Sequence, residues 1–161
     1  VQDLLLNAER RATQERYDDA VGRLYRAIEL LAQIRLLKFY GIKTGDVETQ
    51  QLPESLREEY EKMQSPDKCK IELALKNSYE LLSKLADDPL GQLYQKNANK
   101  IFGVLEIRNN SLFAHGFQPI TSSNYQQFSK VIVTFIQSGI AAVISAKAKS
   151  NSSQFPTNFN I

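Results

Sequence analysis

The sequence is poor in the residues on which disulfide and metal chemistry depend. It has a single cysteine, Cys69, so no disulfide can form within the chain, and this fits a reducing compartment. The single histidine, His115, lies far from Cys69 along the chain, and one residue of each type does not make a metal-binding cluster. We therefore expect a cytoplasmic domain that binds neither a metal ion nor a cofactor.

Charge of one sign and long apolar runs are scarce as well. Lys and Arg number 20 and Asp and Glu 18, and a net charge of +2 is too small to indicate nucleic-acid binding by bulk electrostatics. Any RNA contact therefore needs a local basic patch.

The most apolar stretch, residues 131–144, is shorter than the roughly 20 residues of a membrane span, so we predict a buried core helix and no membrane association. The sequence also lacks a Walker loop, a GxSxG elbow and a GxGxxG fingerprint.

Apolar residues recur at helical spacing along nearly the whole chain and predict an all-α fold. The predicted helices cover residues 4–13, 17–40, 54–63, 71–86, a stretch from 89 through Arg108, and 125–149. Residues 41–70 form a polar insertion between these helices. One helical domain is expected over residues 1–149, followed by a tail at 150–161 that is either disordered or docked on a neighbour through Phe155 and Phe159.

Acidic pairs occur at three places, and we interpret them as helix caps and solvated surface rather than as catalytic carboxylates. In particular, Asp88 followed by Pro89 is typical of a helix start, because Asp is a good N-cap and Pro fits the first turn. The pairs are Asp18-Asp19, Glu58-Glu59 and Asp87-Asp88.

Polar residues interrupt the helical pattern at 108–116, whose sequence is RNNSLFAHG. Asn109, Asn110 and Ser111 are poor helix formers, so they predict a kink, a cap or a set of hydrogen-bonding groups. If Arg108 and His115 lie on one helix, about two turns separate them and both side chains point the same way. They would then converge on one ligand.

A guanidinium and an imidazole in this arrangement suit the metal-free cleavage of RNA, which carries its own 2′-OH nucleophile. Arg108 is permanently charged and matches the oxygens of a phosphate, while His115 can donate or accept a proton near neutral pH. A structural role is the alternative at this point. A lone histidine is usually a packing or surface residue, and Arg108 could form an ion pair with Glu106 or a distant acid.

Residues 108–116 resemble the R-N-x-S-x-x-A-H-G form of the HEPN superfamily motif and match it without departure. The run YDDAVGRLYRAIELL at 17–31 is similar to the leading long helix of HEPN domains in CRISPR-associated proteins of type III systems. In those proteins the HEPN domain follows a CARF sensor domain that binds cyclic oligoadenylate. The resemblance covers most of residues 17–144.

The resemblance implies a HEPN-like helical bundle that forms a homodimer and cuts single-stranded RNA without a metal. Arg108, Asn109 and His115 of two protomers would line one cleft. A sensor for cyclic oligoadenylate, if present, would lie ahead of Val1 and outside this chain. Two alternatives stay open: a HEPN toxin ribonuclease of a toxin–antitoxin pair, and a HEPN module that binds nucleotide or a partner protein without catalysis.

Overall fold

A computed structural model of the chain describes residues 1–64, 70–111 and 118–152, with side chains described as far as residue 146. Over these ranges the chain forms six α-helices and no strand, which confirms the all-α class. The helices are α1 (Gln2–Thr13), α2 (Tyr17–Tyr40), α3 (Glu54–Glu61), α4 (Leu75–Lys84), α5 (Pro89–Asn109) and α6 (Ser122–Ser152).

Helix α2 lies at the centre of the bundle and packs against α1, α4, α5 and α6. The rings of Tyr17 and Tyr125, near the starts of α2 and α6, lie 5.8 Å apart. Farther along, Leu31 of α2 and Leu90 at the start of α5 both approach Gly139 of α6. Helices α2 and α6 are therefore parallel, and α5 runs against them. As a result, the C-terminal end of α5 lies beside the N-terminal halves of α2 and α6.

The predicted cap at the start of α5 is confirmed. One carboxylate oxygen of Asp88 accepts hydrogen bonds from the backbone N–H groups of Leu90 and Gly91, at 2.9 and 2.8 Å. The other accepts bonds from Arg35 Nε at 2.7 Å and from the Tyr40 hydroxyl at 2.8 Å. Asp88 therefore ties the end of α2 to the start of α5 through buried contacts.

The prediction of a helix over 71–86 is wrong at its beginning, because α4 starts only at Leu75. Ile71 pairs with Val47 in an isolated antiparallel bridge, and the Leu73 N–H donates to the Thr44 carbonyl at 2.7 Å. These extended residues satisfy their backbone groups against the insertion rather than within a helix. Every second residue from Ile71 to Leu75 is buried, which is the alternation of an extended segment rather than the spacing of a helix. From the sequence, these apolar residues are predicted to belong to the helix that follows.

The insertion predicted at 41–70 contains the expected short helix, although α3 ends at Glu61 rather than at residue 63. Its described part also contributes to the core, since Ile42, Val47, Leu52 and Tyr60 are all buried. The insertion is therefore packed on the bundle rather than looped into solvent. Residues 65–69, which include Cys69, lie outside the described residues.

Helix α6 starts earlier than the predicted residue 125. The Thr121 hydroxyl accepts from the Asn124 N–H at 3.2 Å, and the Asn124 side-chain oxygen accepts from the Thr121 N–H at 3.3 Å. This reciprocal pair acts as a capping box. The helix then continues to Ser152, so the first residues of the predicted tail are helical, and residues 153–161 lie outside the described part.

Helix α6 is also longer than the apolar stretch seen in the sequence. Within the described ranges, one helical segment, Ser122–Ala146, is long enough and apolar enough to cross a membrane. Its mean hydropathy is 1.6, and 28% of its most apolar part is buried. Core helices of globular proteins pass the same test, and Phe128, Ile132 and Ile136 of α6 are fully buried in the bundle. The apolar part of the helix is therefore longer than residues 131–144, so the expectation that it is too short to span a membrane is wrong for the helix as a whole.

Candidate active site

The premise that Arg108 and His115 share one helix is wrong, because α5 ends at Asn109. The Asn110 N–H still bonds to the Glu106 carbonyl at 3.0 Å, but the Ser111 N–H bonds to the Arg108 carbonyl, the tighter spacing of a closing turn. The poor helix formers at 109–111 thus terminate the helix, as one of the sequence alternatives allowed. Arg108 stands in the last turn of α5, where a positive charge is favoured by the helix dipole.

The guanidinium of Arg108 lies over an aromatic ring of the central helix. Its Cζ is 4.3 Å from the centroid of the Tyr25 ring, which is a cation–π contact. Among the described residues Arg108 forms no ion pair with a carboxylate, and this includes the suspected partner Glu106. The side chain is therefore held in place by Tyr25, and no acid of the described residues neutralises its charge.

The same contact affects Tyr25. Burial raises the pKa of the Tyr25 phenol above its usual value, the positive charge of Arg108 lowers it in part, and Glu29 raises it. The phenol is accordingly neutral at physiological pH and acts as a ring that carries a cation on its face. Sequence reasoning placed Tyr25 within the predicted helix at 17–40 and did not connect it with the site.

Asn109 is exposed beside Arg108, and its side-chain oxygen lies 3.4 Å from Arg108 Nη1, at the long end of hydrogen bonding. Depressions open on both sides of the end of α5. One, of about 370 Å³, is lined by Asn109 and Tyr25. The other, of about 250 Å³, is lined by Asn110 and Gln118.

His115 is the third predicted site residue, and two contacts hold the described residues on either side of its segment. Ser111 and Gln118 form an isolated parallel bridge, and the Ile120 N–H donates to the carboxylate of Asp18 at 3.2 and 3.4 Å. Residues 112–117, which include His115, lie outside the described residues. The structure therefore brings Arg108 and Asn109 together, and the role of His115 stays a prediction from the motif.

The acidic pairs serve structure, as the sequence indicated. Asp19 accepts ion pairs from three arginines, Asp18 holds the backbone at Ile120, and Asp88 caps α5. Glu58 and Glu59 pair with Lys62 and Lys84. Over the described residues no group of three or more His, Cys, Asp or Glu side chains is placed to hold a metal ion.

Comparison with known proteins gives one match. Residues 1–138 match the family described as the Csm6 HEPN domain. No curated protein and no solved structure matches the chain. The match supports a CRISPR-associated HEPN domain of the kind found in ribonuclease effectors, with RNA as the substrate class. Because the match covers most of the chain, this protein belongs to the Csm6 HEPN domain family.

Proposed function

We propose that this domain is an endoribonuclease that cuts single-stranded RNA without a metal ion. It would act in the cytoplasm as the effector domain of a type III CRISPR-associated protein, with cyclic oligoadenylate sensed by a domain outside this chain. The observation that carries the proposal is Arg108, whose guanidinium is stacked on Tyr25 and has no carboxylate partner among the described residues. Its positive charge is therefore left for a ligand, and the ligand that suits a guanidinium fork is a phosphate.

The chemistry follows from the groups of the motif. The 2′-oxygen of the ribose attacks the adjacent phosphorus and loses its proton, the bond from phosphorus to the 5′-oxygen breaks, and this leaving oxygen takes up a proton. Arg108 stabilises the negative charge that builds up on the phosphorane oxygens. His115 serves as the proton donor or acceptor, since an imidazole titrates near neutral pH. Asn109 positions the phosphate through its exposed amide.

The test is the cleavage of a labelled single-stranded RNA in EDTA. Arg108→Ala and His115→Ala are each expected to lower the rate by about 10²–10⁴-fold, and Asn109→Ala by less. Arg57→Ala is the matched control, because Arg57 is an exposed arginine whose hydrogen bonds, within the part of the chain that the structure describes, go to the backbone at Leu52 and Gln50. Near wild-type rates for either main variant would refute that residue's role. Cleavage that requires added metal would refute the proposed mechanism.

Homodimerisation belongs to the same proposal. One chain has a single histidine, whereas the reaction uses one proton transfer at the nucleophile and another at the leaving oxygen. Two chains related by a two-fold axis would supply two histidines and two copies of Arg108 to one cleft, and two-fold dimers are the commonest oligomers. We therefore propose that the dimer forms through the face that carries Arg108 and His115.

Mixing experiments test this composite site. An excess of Arg108→Ala or His115→Ala chains is expected to suppress the activity of wild-type chains, because each wild-type chain is then paired with an inactive one. Activity that only scales with the amount of wild-type chain would refute the shared cleft. A monomer by light scattering that still cleaves RNA would refute it too.

A further inference from the structure

The cavity next to Arg108 has the construction of a pocket for a flat aromatic ligand. It measures about 370 Å³ and lies between α2, α4 and the C-terminal half of α5. This volume falls in the range of about 300–1,000 Å³ that is usual for small-ligand sites. The half-buried rings of Tyr25 and Phe102 line it, and the buried side chains of Leu75 and Leu105 give it an apolar base.

Polar groups of three kinds also line this cavity. Lys76 contributes a cation, Glu106 a carboxylate and Asn109 an amide. Lys76 lies 5.4 Å from the centroid of the Phe102 ring and 3.6 Å from the Glu80 carboxylate. Glu106 is exposed and forms no ion pair within the described ranges, so its carboxylate oxygens are free to accept hydrogen bonds.

Aromatic faces combined with edge hydrogen bonds are the means by which proteins bind unstacked bases of single-stranded RNA. We propose that this cavity binds the nucleobase next to the phosphate held by Arg108, and that it prefers bases that present an exocyclic amino group to Glu106. Adenine, cytosine and guanine carry such a group and uracil does not. The proposal rests on the proposed ribonuclease function and adds a base preference to it.

Tyr25 is what links the two sites. The guanidinium of Arg108 lies over its ring, and the same side chain also lines the cavity. A phosphate at Arg108 and a base in the cavity would therefore both contact the side chain of Tyr25, as neighbouring parts of one nucleotide could. Asn109 follows Arg108 directly and also lines the cavity, so it can contact the nucleotide between these two points.

The experiment measures the binding of short 2′-O-methyl oligonucleotides, which lack the nucleophile and cannot be cleaved. Wild-type protein is expected to bind oligoadenylate and oligocytidylate more tightly than oligouridylate. Glu106→Ala should reduce that preference by about tenfold, because hydrogen bonds to a charged group discriminate by that much or more. Glu58→Ala is the control, since Glu58 is also an exposed helical glutamate, lies on α3 away from the cavity lining and pairs with Lys62.

Phe102→Leu should weaken the binding of all three oligonucleotides by about fivefold to a hundredfold without changing their order, because it removes a stacking face. Its circular dichroism is checked, since Phe102 also packs on Tyr94. Glu106→Ala is exposed and helix-favouring, so it keeps the test decisive if Phe102→Leu is unstable. Equal binding of the three oligonucleotides, or a preference unchanged in Glu106→Ala, would overturn the proposal.

Cleavage assays on the same samples separate this inference from the proposed function. If RNA is cleaved in an Arg108-dependent way and Glu106→Ala binds like the wild type, the ribonuclease function stands and the base pocket is refuted. If the oligonucleotides bind with the expected preference and unmodified RNA is not cleaved, the pocket stands and the ribonuclease function is refuted.

Discussion

Removal of the Asp88 carboxylate should be among the most costly single changes in the bundle. The Asp88 side chain is 0% exposed and that of its partner Arg35 is 9% exposed, with 2.7 Å between Arg35 Nε and the carboxylate. Asp88→Ala would leave the Arg35 charge buried and unpaired, and the loss of one partner of such a pair costs about 3–5 kcal/mol. The lost N-cap of α5 adds about 1 kcal/mol. We therefore expect a decrease of about 4–6 kcal/mol in the free energy of unfolding.

Two further variants separate these contributions. Asp88→Asn keeps an oxygen that can accept from the N–H groups of Leu90 and Gly91, so it should be destabilised by about 1 kcal/mol less than Asp88→Ala. The double variant Arg35→Met/Asp88→Asn leaves no buried unpaired charge. It should therefore be more stable, by about 2 kcal/mol, than the sum of its single variants predicts.

Urea unfolding followed by circular dichroism at neutral pH measures all of these variants. A domain of this kind has a total stability of about 5–15 kcal/mol, so the expected losses are a large fraction of it and should shift the urea midpoint strongly. If the stability losses of Arg35→Met and Asp88→Asn add up to that of the double variant within about 0.5 kcal/mol, the two side chains are not coupled and the reasoning is refuted. A loss below about 1 kcal/mol in Asp88→Ala would refute the burial argument as well.

Further predictions concern the buried tyrosines and the contact between α4 and α5. Tyr79→Phe should destabilise the domain by about 1 kcal/mol, because its hydroxyl donates to the Ile28 carbonyl at 2.8 Å. Tyr94→Phe should be neutral or stabilising, because the buried Tyr94 hydroxyl has no hydrogen-bond partner among the described residues; equal losses in the two variants would contradict this. Burial raises the pKa of Tyr94 from 10.0 to about 12. The stability that this shift contributes is complete below pH 10 and is lost as the pH rises toward about 12. Unfolding experiments between pH 8 and about 12 should show this loss. Gly91→Ala should lower the melting temperature sharply, because its Cβ would lie 2.2 Å from the Leu82 carbonyl oxygen; an unchanged melting temperature would show that the helices can separate.

Local signals in the sequence predicted most of the helices. The periodic apolar residues of α2 and the Asp88-Pro89 start of α5 depend on interactions within a few residues, which a sequence displays directly. The start of α4 could not be predicted in this way. The bridge between Ile71 and Val47 joins segments that are distant in the chain, and this pairing outweighs the helical pattern of the apolar residues after it.

The sequence by itself determined the all-α class, the family motif and the choice of Arg108, Asn109 and His115 as candidates, because residue types and their spacing carry that information. It also contained the poor helix formers that end α5, although it did not decide between a kink and an end. Only the tertiary structure decided that Arg108 lies on Tyr25 and that a cavity lined by Tyr25, Phe102 and Glu106 adjoins it. The physical reason is that these contacts form between α2, α4 and α5, and the packing of separate helices sets them rather than any local pattern.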